Sequence, residues 1–315
     1  METIYLKRID NYNEINKYKF RFANIFIKLI FLYKNIFNII TKIQKDGFNI
    51  WILPYKEKIS ENKFEKILNK QLKKGKLSKE HKILLANNLN LSNPNYILDK
   101  KEIRYYDGKL IRKMLVCYTI EYINKIQEKE MKDREIAILV DEDTQINNYL
   151  IFKLAMITKS LKIVSKKIYK FKGIEEKLYN EYGIAIQFSN MYKKSLLKSD
   201  IIVNLDFSEI EINEYNINQS AIIINTENPI KIKSKLFNGI VANSISIKFS
   251  KEINSIFQKK LLLYRYDNLL LYESIINWKT NYSEIDEKIK NDNVRVLNLI
   301  GNNGIITKRE IEIVK

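Results

Sequence analysis

The chain has 315 residues, 45% of them apolar, and 55 Lys and Arg against 37 Asp and Glu give a formal net charge of +18. That apolar content excludes a disordered chain, and the length sets two domains as the default. One cysteine, Cys117, excludes an internal disulfide, and a lone histidine, His81, excludes a zinc site of His and Cys ligands.

Only 8 of the basic residues are Arg, the side chain suited to bidentate phosphate recognition, and the chain is rich in Lys, Asn, Ile and Tyr, whose codons are all rich in A and T. Coding bias alone would therefore raise the charge. The alternative is attraction of residues 1–100, with 20 basic and 9 acidic side chains, to an anionic membrane or nucleic acid.

Met1 to Arg8 has neither signal-peptide architecture nor a myristoylation motif, and a cytoplasmic protein is expected. Residues 15–46 have helical period, with Lys17, Arg21, Lys28 and Lys42 opposite Ile25, Leu29, Leu32, Ile36 and Ile43. The basic residues interrupt every apolar run before the ~20 residues a bilayer crossing needs, so no transmembrane segment is expected. Phe48 to Tyr55 reads as a strand stopped by Pro54, and 61–74 as a lysine-rich helix closed by Gly75. Residues 78–94 are ambiguous. A turn at Ile103–Gly108 precedes one long helix from Lys109 to about Met131, in which Cys117 reads as a core residue. The charged cluster Glu128 to Glu135 makes the domain boundary.

From 136 to 250, short β-branched runs alternate with helical stretches: Ile136–Val140, Leu161–Val164, Ile184–Ile186, Ile201–Leu205, Ala221–Ile224 and Ile240–Phe249. Buried parallel strands covered by helices read this way. Ser250 then caps a helix to about Lys279, and Ser283 caps a short helix to about Asn291. Val294–Ile300 and Ile305–Val314, joined by Gly301-Asn302-Asn303-Gly304, form a terminal β-hairpin.

The order and spacing of 136–250 resemble the Rossmann-like NAD(P)-binding superfamily. Ser199-Asp200-Ile201-Ile202-Val203-Asn204 is similar to the fourth strand of two-domain dehydrogenases, and Ala221-Ile222-Ile223-Ile224-Asn225 to the fifth. The resemblance implies an α/β fold, a Rossmann-like doubly wound mostly parallel sheet, with ligands outside the carboxyl ends of the strands. The expected organisation is a basic N-terminal α-rich or α+β domain (1–133), the Rossmann-like domain (134–250) and a C-terminal region (251–315) packing back.

The departure is at the phosphate loop. Where glycines would let amides approach a pyrophosphate, the chain has Asp141-Glu142-Asp143-Thr144. These carboxylates are expected to satisfy the helix dipole themselves, and two like charges about 4 Å apart cost ~1 kcal/mol even in water. Lys166 and Lys167, past the second strand, suit the 2′-phosphate of NADP. The acidic run also resembles magnesium-dependent phosphotransferases of the haloacid-dehalogenase type and response-regulator receivers. It departs from the first because Thr144 follows Asp143 directly, and from the second because Ile184–Phe188 carries no Asp. No metal site is assigned.

The candidate cofactor-binding residues are Asp141, Thr144, Ser165, Lys166, Asn204 and Asp206, with no catalytic residue assigned. The main expectation is a non-catalytic protein with a regulatory or assembly role on a degenerate Rossmann-like scaffold. The alternatives are an NADP-dependent two-domain oxidoreductase and a basic region binding an anionic surface.

Overall fold

The computed structural model describes residues 3–8, 33–34, 40–45, 48–53, 59–85, 94–250, 268–276 and 281–314. The chain divides into two compact units, one of Met1–Gly108 with Asn254–Ile276 and one of Lys109–Ile253 with Asn277–Lys315. No helix among the described residues is long and apolar enough to cross a membrane.

The first unit is built on a five-stranded sheet ordered β2-β3-β1-β4-β5. Its strands are β1 (Thr3–Arg8), β2 (Thr41–Lys45), β3 (Phe48–Leu53), β4 (Lys82–Leu85) and β5 (Tyr105–Tyr106). β3, β1, β4 and β5 run parallel, and β2 is antiparallel to β3 at one edge. Helix α1 (Glu61–Lys73) buries Phe64, Ile67 and Leu68, spaced at three and four residues, in a core with Leu6, Trp51, Leu53, Ile83 and Leu85. Gly75 follows it with φ 60°, the left-handed conformation expected of a residue closing a helix. A further helix, α2, covers Pro94–Asp99.

The helix expected over 15–46 does not reach its end: Thr41–Lys45 is a strand, with Ile43 opposite Ile50 and Lys42 opposite Trp51. Pairing along the β3 edge outweighs the local helical period, and the Lys42 ammonium lies 3.8 Å from the centroid of the Trp51 ring. Residues 15–32 and 35–39 lie outside the described residues. So does most of the helix expected from 250 to 279, of which α8 (Asn268–Ile275) is described.

The second unit holds a six-stranded parallel sheet of β6 (Glu135–Leu139), β7 (Ser160–Val164), β8 (Gln187–Ser189), β9 (Ile201–Asn204), β10 (Ile222–Asn225) and β11 (Ile240–Ala242). Its order is β11-β10-β9-β6-β7-β8. Numbered along the chain, this is 6-5-4-1-2-3, the doubly wound order read from the other edge. The α/β class and the Rossmann-like sheet are therefore features of the structure. Helices α5 (Gln145–Ala155) and α6 (Lys172–Tyr182) follow β6 and β7, and a single turn, α7 (Glu209–Ile212), follows β9. β9 and β10 are buried at every position, which is why they read as unbroken β-branched runs.

Several elements differ from expectation. β8 lies at Gln187–Ser189 rather than Ile184–Ile186, a polar strand at the sheet edge. The helix expected from Lys109 to Met131 is two, α3 (Lys109–Met114) and α4 (Val116–Gln127), the second ending at Glu128 with φ 52°. The run Ile240–Phe249 is two strands. The chain leaves the parallel sheet at Asn243, and β12 (Ser244–Lys248) pairs antiparallel with β13 (Arg295–Gly301), which also pairs with β14 (Gly304–Ile306). Between them, α9 covers Tyr282–Asn291. The hairpin ends at Ile306, because Thr307 and Glu310 form a capping box and Lys308–Ile313 is helix α10.

Candidate functional site

In a doubly wound sheet the ligand crevice lies at the carboxyl ends of the strands where the order reverses, here between β6 and β9. Asp141 follows β6, and its Oδ1 accepts hydrogen bonds from Ser165 Oγ at 2.8 Å and from the Lys166 amide at 2.7 Å. The carboxylate thus ties the end of β6 to the end of β7. Ser165 is fully buried and its Oγ accepts in turn from the Lys167 amide.

The side chains of the acidic turn do not meet the Asp141 and Glu142 amides. Asp206, two residues past β9, does so. Its Oδ1 accepts from the Asp141 amide at 2.8 Å and its Oδ2 from the Glu142 amide at 2.9 Å. Asn147 Nδ2 lies 3.3 Å from the same Oδ2. The expected role of the turn's own side chains is therefore corrected. Asp141 points toward β7, the exposed Glu142 pairs with Lys167 and Lys170, and Asp143 accepts from Asn148. Thr144 is the N-cap of α5, its Oγ1 accepting from the Asn147 amide. Burial pushes the Asp206 carboxyl up to about 6, against the pull of the two amides and of Lys113, with the Asp141 charge adding to the rise.

The network continues along the carboxyl edge of the sheet. Asn147 Oδ1 accepts from Lys113 Nζ at 3.3 Å, and Lys113 and Lys109, one turn apart on α3, both pair with Glu227 beyond β10. Glu227 loses hydration, yet the two lysines hold its carboxyl below the usual range. Arg112 on the same helix donates from Nη1 to the backbone carbonyls of Glu227 and Asn243, while its buried Nε has no hydrogen-bond partner.

Asn204 is fully buried, bonded to both backbone groups of Phe207, and Nδ2 donates to Asn225 Oδ1. Asn225 Nδ2 donates to Asn243 Oδ1, and Asn243 Nδ2 to Asn302 Oδ1, each at 2.9 Å. The structure therefore brings Asp141, Ser165, Lys166 and Asp206 together around two adjacent turns, seats Thr144 at the helix start, and turns Asn204 inward. Lys109, Arg112, Lys113, Asn147, Asn225, Glu227 and Asn243 were not singled out from the sequence. For the asparagines a signal exists: each of three adjacent strands ends in Asn or is followed by one. Beyond β9, Tyr215 packs against Tyr192 and Phe207, and its buried hydroxyl is unpartnered.

No protein-family model and no curated protein matches the chain. Among solved structures it is similar to L-tryptophan dehydrogenase from Nostoc punctiforme, at 11% identity and TM-score 0.36 over 92% of this chain and 80% of that one. It is also similar to D-lactate dehydrogenase from Escherichia coli, at 11% identity and TM-score 0.34 over 74% and 77%. A shikimate dehydrogenase in complex with NADP+ matches at 13% identity and TM-score 0.30 over 76% and 83%. The likeness is one of fold. The expectation of a non-catalytic regulatory or assembly protein has no counterpart among these neighbours, which are dehydrogenases, and it is not carried further.

The residues present divide in their fit to a dinucleotide. Ser165, Lys166 and Lys167 directly follow β7, the second strand of this order, after which such folds meet an adenosine ribose. The amides that would meet the pyrophosphate are already bonded to Asp206, and no glycine opens the turn.

Proposed function

We propose that the chain is an NADP-linked oxidoreductase of two-domain type, with the nucleotide lying along the carboxyl edge of the six-stranded sheet. The observation that carries this reading is the reversal of strand order between β6 and β9, with a continuous band of polar side chains at that point. Lys166 and Lys167 would meet the 2′-phosphate, in place of the acidic residue that meets an unphosphorylated ribose. Ser165 and Asp141 would position that end, and Thr144 would fix the start of α5. Asn204 acts at a distance by holding Phe207 and the turn that carries Asp206. Lys109 and Lys113, held by Glu227, are the cationic groups at the opposite end of the crevice, beyond β10. The cofactor would supply the hydride, and the chain supplies binding and orientation.

Calorimetric titration with NADPH and NADH at pH 6 and pH 8 tests the reading. NADPH is expected to bind at least tenfold more tightly than NADH, and Lys166→Ala combined with Lys167→Ala to erase the difference. No heat and no thermal shift with millimolar NADP(H) at either pH would refute it.

A further inference from the structure

We propose that Asp206 is an internal competitor for the anion seat of this crevice, its carboxylate taking the place of a phosphate on the Asp141 and Glu142 amides and setting how tightly a nucleotide binds. The inference rests on the reading of the crevice given above and concerns the affinity of that same site. Three features of the geometry carry it. Both oxygens of one carboxylate are engaged by two successive backbone amides, at 2.8 and 2.9 Å, a bidentate clasp of the kind an anionic oxygen pair takes. The donors belong to the first β–α turn of a doubly wound sheet, where a pyrophosphate otherwise sits, with the side-chain amide of Asn147 as a third. The competing group lies in a turn after β9, on a side chain that keeps some exposure, so it can leave without unravelling a strand.

The surroundings poise the competitor. The charged groups facing Asp206 are Asp141 on the turn after β6 and Lys113 on α3; Glu142 contributes its backbone amide, and α5 the neutral Asn147. Burial and the Asp141 charge disfavour the carboxylate, and the amides and Lys113 favour it. The balance leaves the group titrating near 6. A protonated Asp206 accepts weakly and frees the amides, whereas an ionised one holds them. If only the protonated form yields, the competent fraction makes nucleotide binding about eighty-fold weaker at pH 8 than at pH 5.5.

ADP-ribose is the probe, since it carries the diphosphate without the nicotinamide and its diester charge is constant over this range. Titration of the wild-type chain and of Asp206→Ser at pH 5.5 and pH 8 is expected to show two things. The variant binds tens of times more tightly than wild type at pH 8, and it has lost the pH dependence. In wild type, the amide resonances of Asp141 and Glu142 should move with a midpoint near pH 6 and move again on adding ADP-ribose. A folded Asp206→Ser with wild-type affinity at both pH values overturns the inference. Should that variant not fold, ADP-ribose leaving both amide resonances unmoved at pH 5.5 overturns it equally. The outcomes also separate this inference from the cofactor reading. A variant that binds ADP-ribose and inorganic sulfate but not NADP(H) sustains the seat and removes the cofactor. NADPH binding that is equal in wild type and variant sustains the cofactor and removes the competitor.

Discussion

Asp141 and Asp143 stand two residues apart in one acidic run, yet replacing each with Ala should have very different consequences. The Asp141 Oδ1 accepts from Ser165 Oγ and from the Lys166 amide, both just past the end of β7. Truncation strands two donors, and a stranded buried donor costs about 1–3 kcal/mol. The Ser165 hydroxyl can turn to find a substitute and the Lys166 amide cannot, so the loss should be about 2–4 kcal/mol. For a unit of this size that is a fall in Tm of roughly 5–12 °C. Asp143 is exposed and accepts one bond from Asn148, so Asp143→Ala should stay within about 0.5 kcal/mol of wild type. Asp141→Asn retains the Oδ1 acceptor and should recover more than half of the loss. Urea unfolding followed by circular dichroism, with calorimetry for Tm, measures all three variants. Equal shifts for Asp141→Ala and Asp143→Ala would refute the clasp between β6 and β7.

Three further outcomes follow from the same structure. Because the folded carboxyl of Asp206 titrates at about 6, well above an ordinary Asp, folded chains bind the extra proton between roughly pH 4 and pH 6. Stability from this group is therefore complete below about pH 4 and falls on the order of 2 kcal/mol as pH rises to about 6, allowing for partial exposure, and Asp206→Asn should flatten that slope in unfolding curves. Tyr215→Phe removes a buried, unpartnered hydroxyl and should leave Tm unchanged or raise it by the equivalent of about 1 kcal/mol; a clear fall would mean that the hydroxyl has a partner. Gly239→Ala places a Cβ 2.1 Å from the Ala221 carbonyl oxygen, and because that oxygen is backbone the variant should lose several kcal/mol or fail to fold, as thermal unfolding would report.

The parallel strands were legible because burial on both faces leaves long β-branched runs, as in Ile201–Asn204 and Ile222–Asn225. The switch at Asn243 was not. Ile240-Val241-Ala242 is apolar throughout and Ser244 to Phe249 alternates apolar with polar, and neither pattern says which sheet a strand joins. Thr307-x-x-Glu310 did carry a helix-start signature, which the apolar spacing of Ile311 and Ile313 obscured by also suiting a strand. In the site, local sequence placed the acidic turn at the right point of the sheet but misassigned its work. The amides of Asp141 and Glu142 are met by a residue 64 or more positions away, and only the pairing of β6 with β9 brings it there. Lys109 and Lys113 were hidden for the same reason, their partner Glu227 lying across the fold.

The four asparagines running from Asn204 to Asn302 point head to tail, each carboxamide giving a hydrogen to the next one's oxygen. Such a row has a direction, and turning one member around would set nitrogen against nitrogen or oxygen against oxygen at its neighbours. It begins on the central strand of one sheet and finishes in the loop of the terminal hairpin of another. The two sheets of this unit are thereby keyed to one another in orientation, not merely glued by apolar contact. A register slip of the hairpin would be felt as far in as β9.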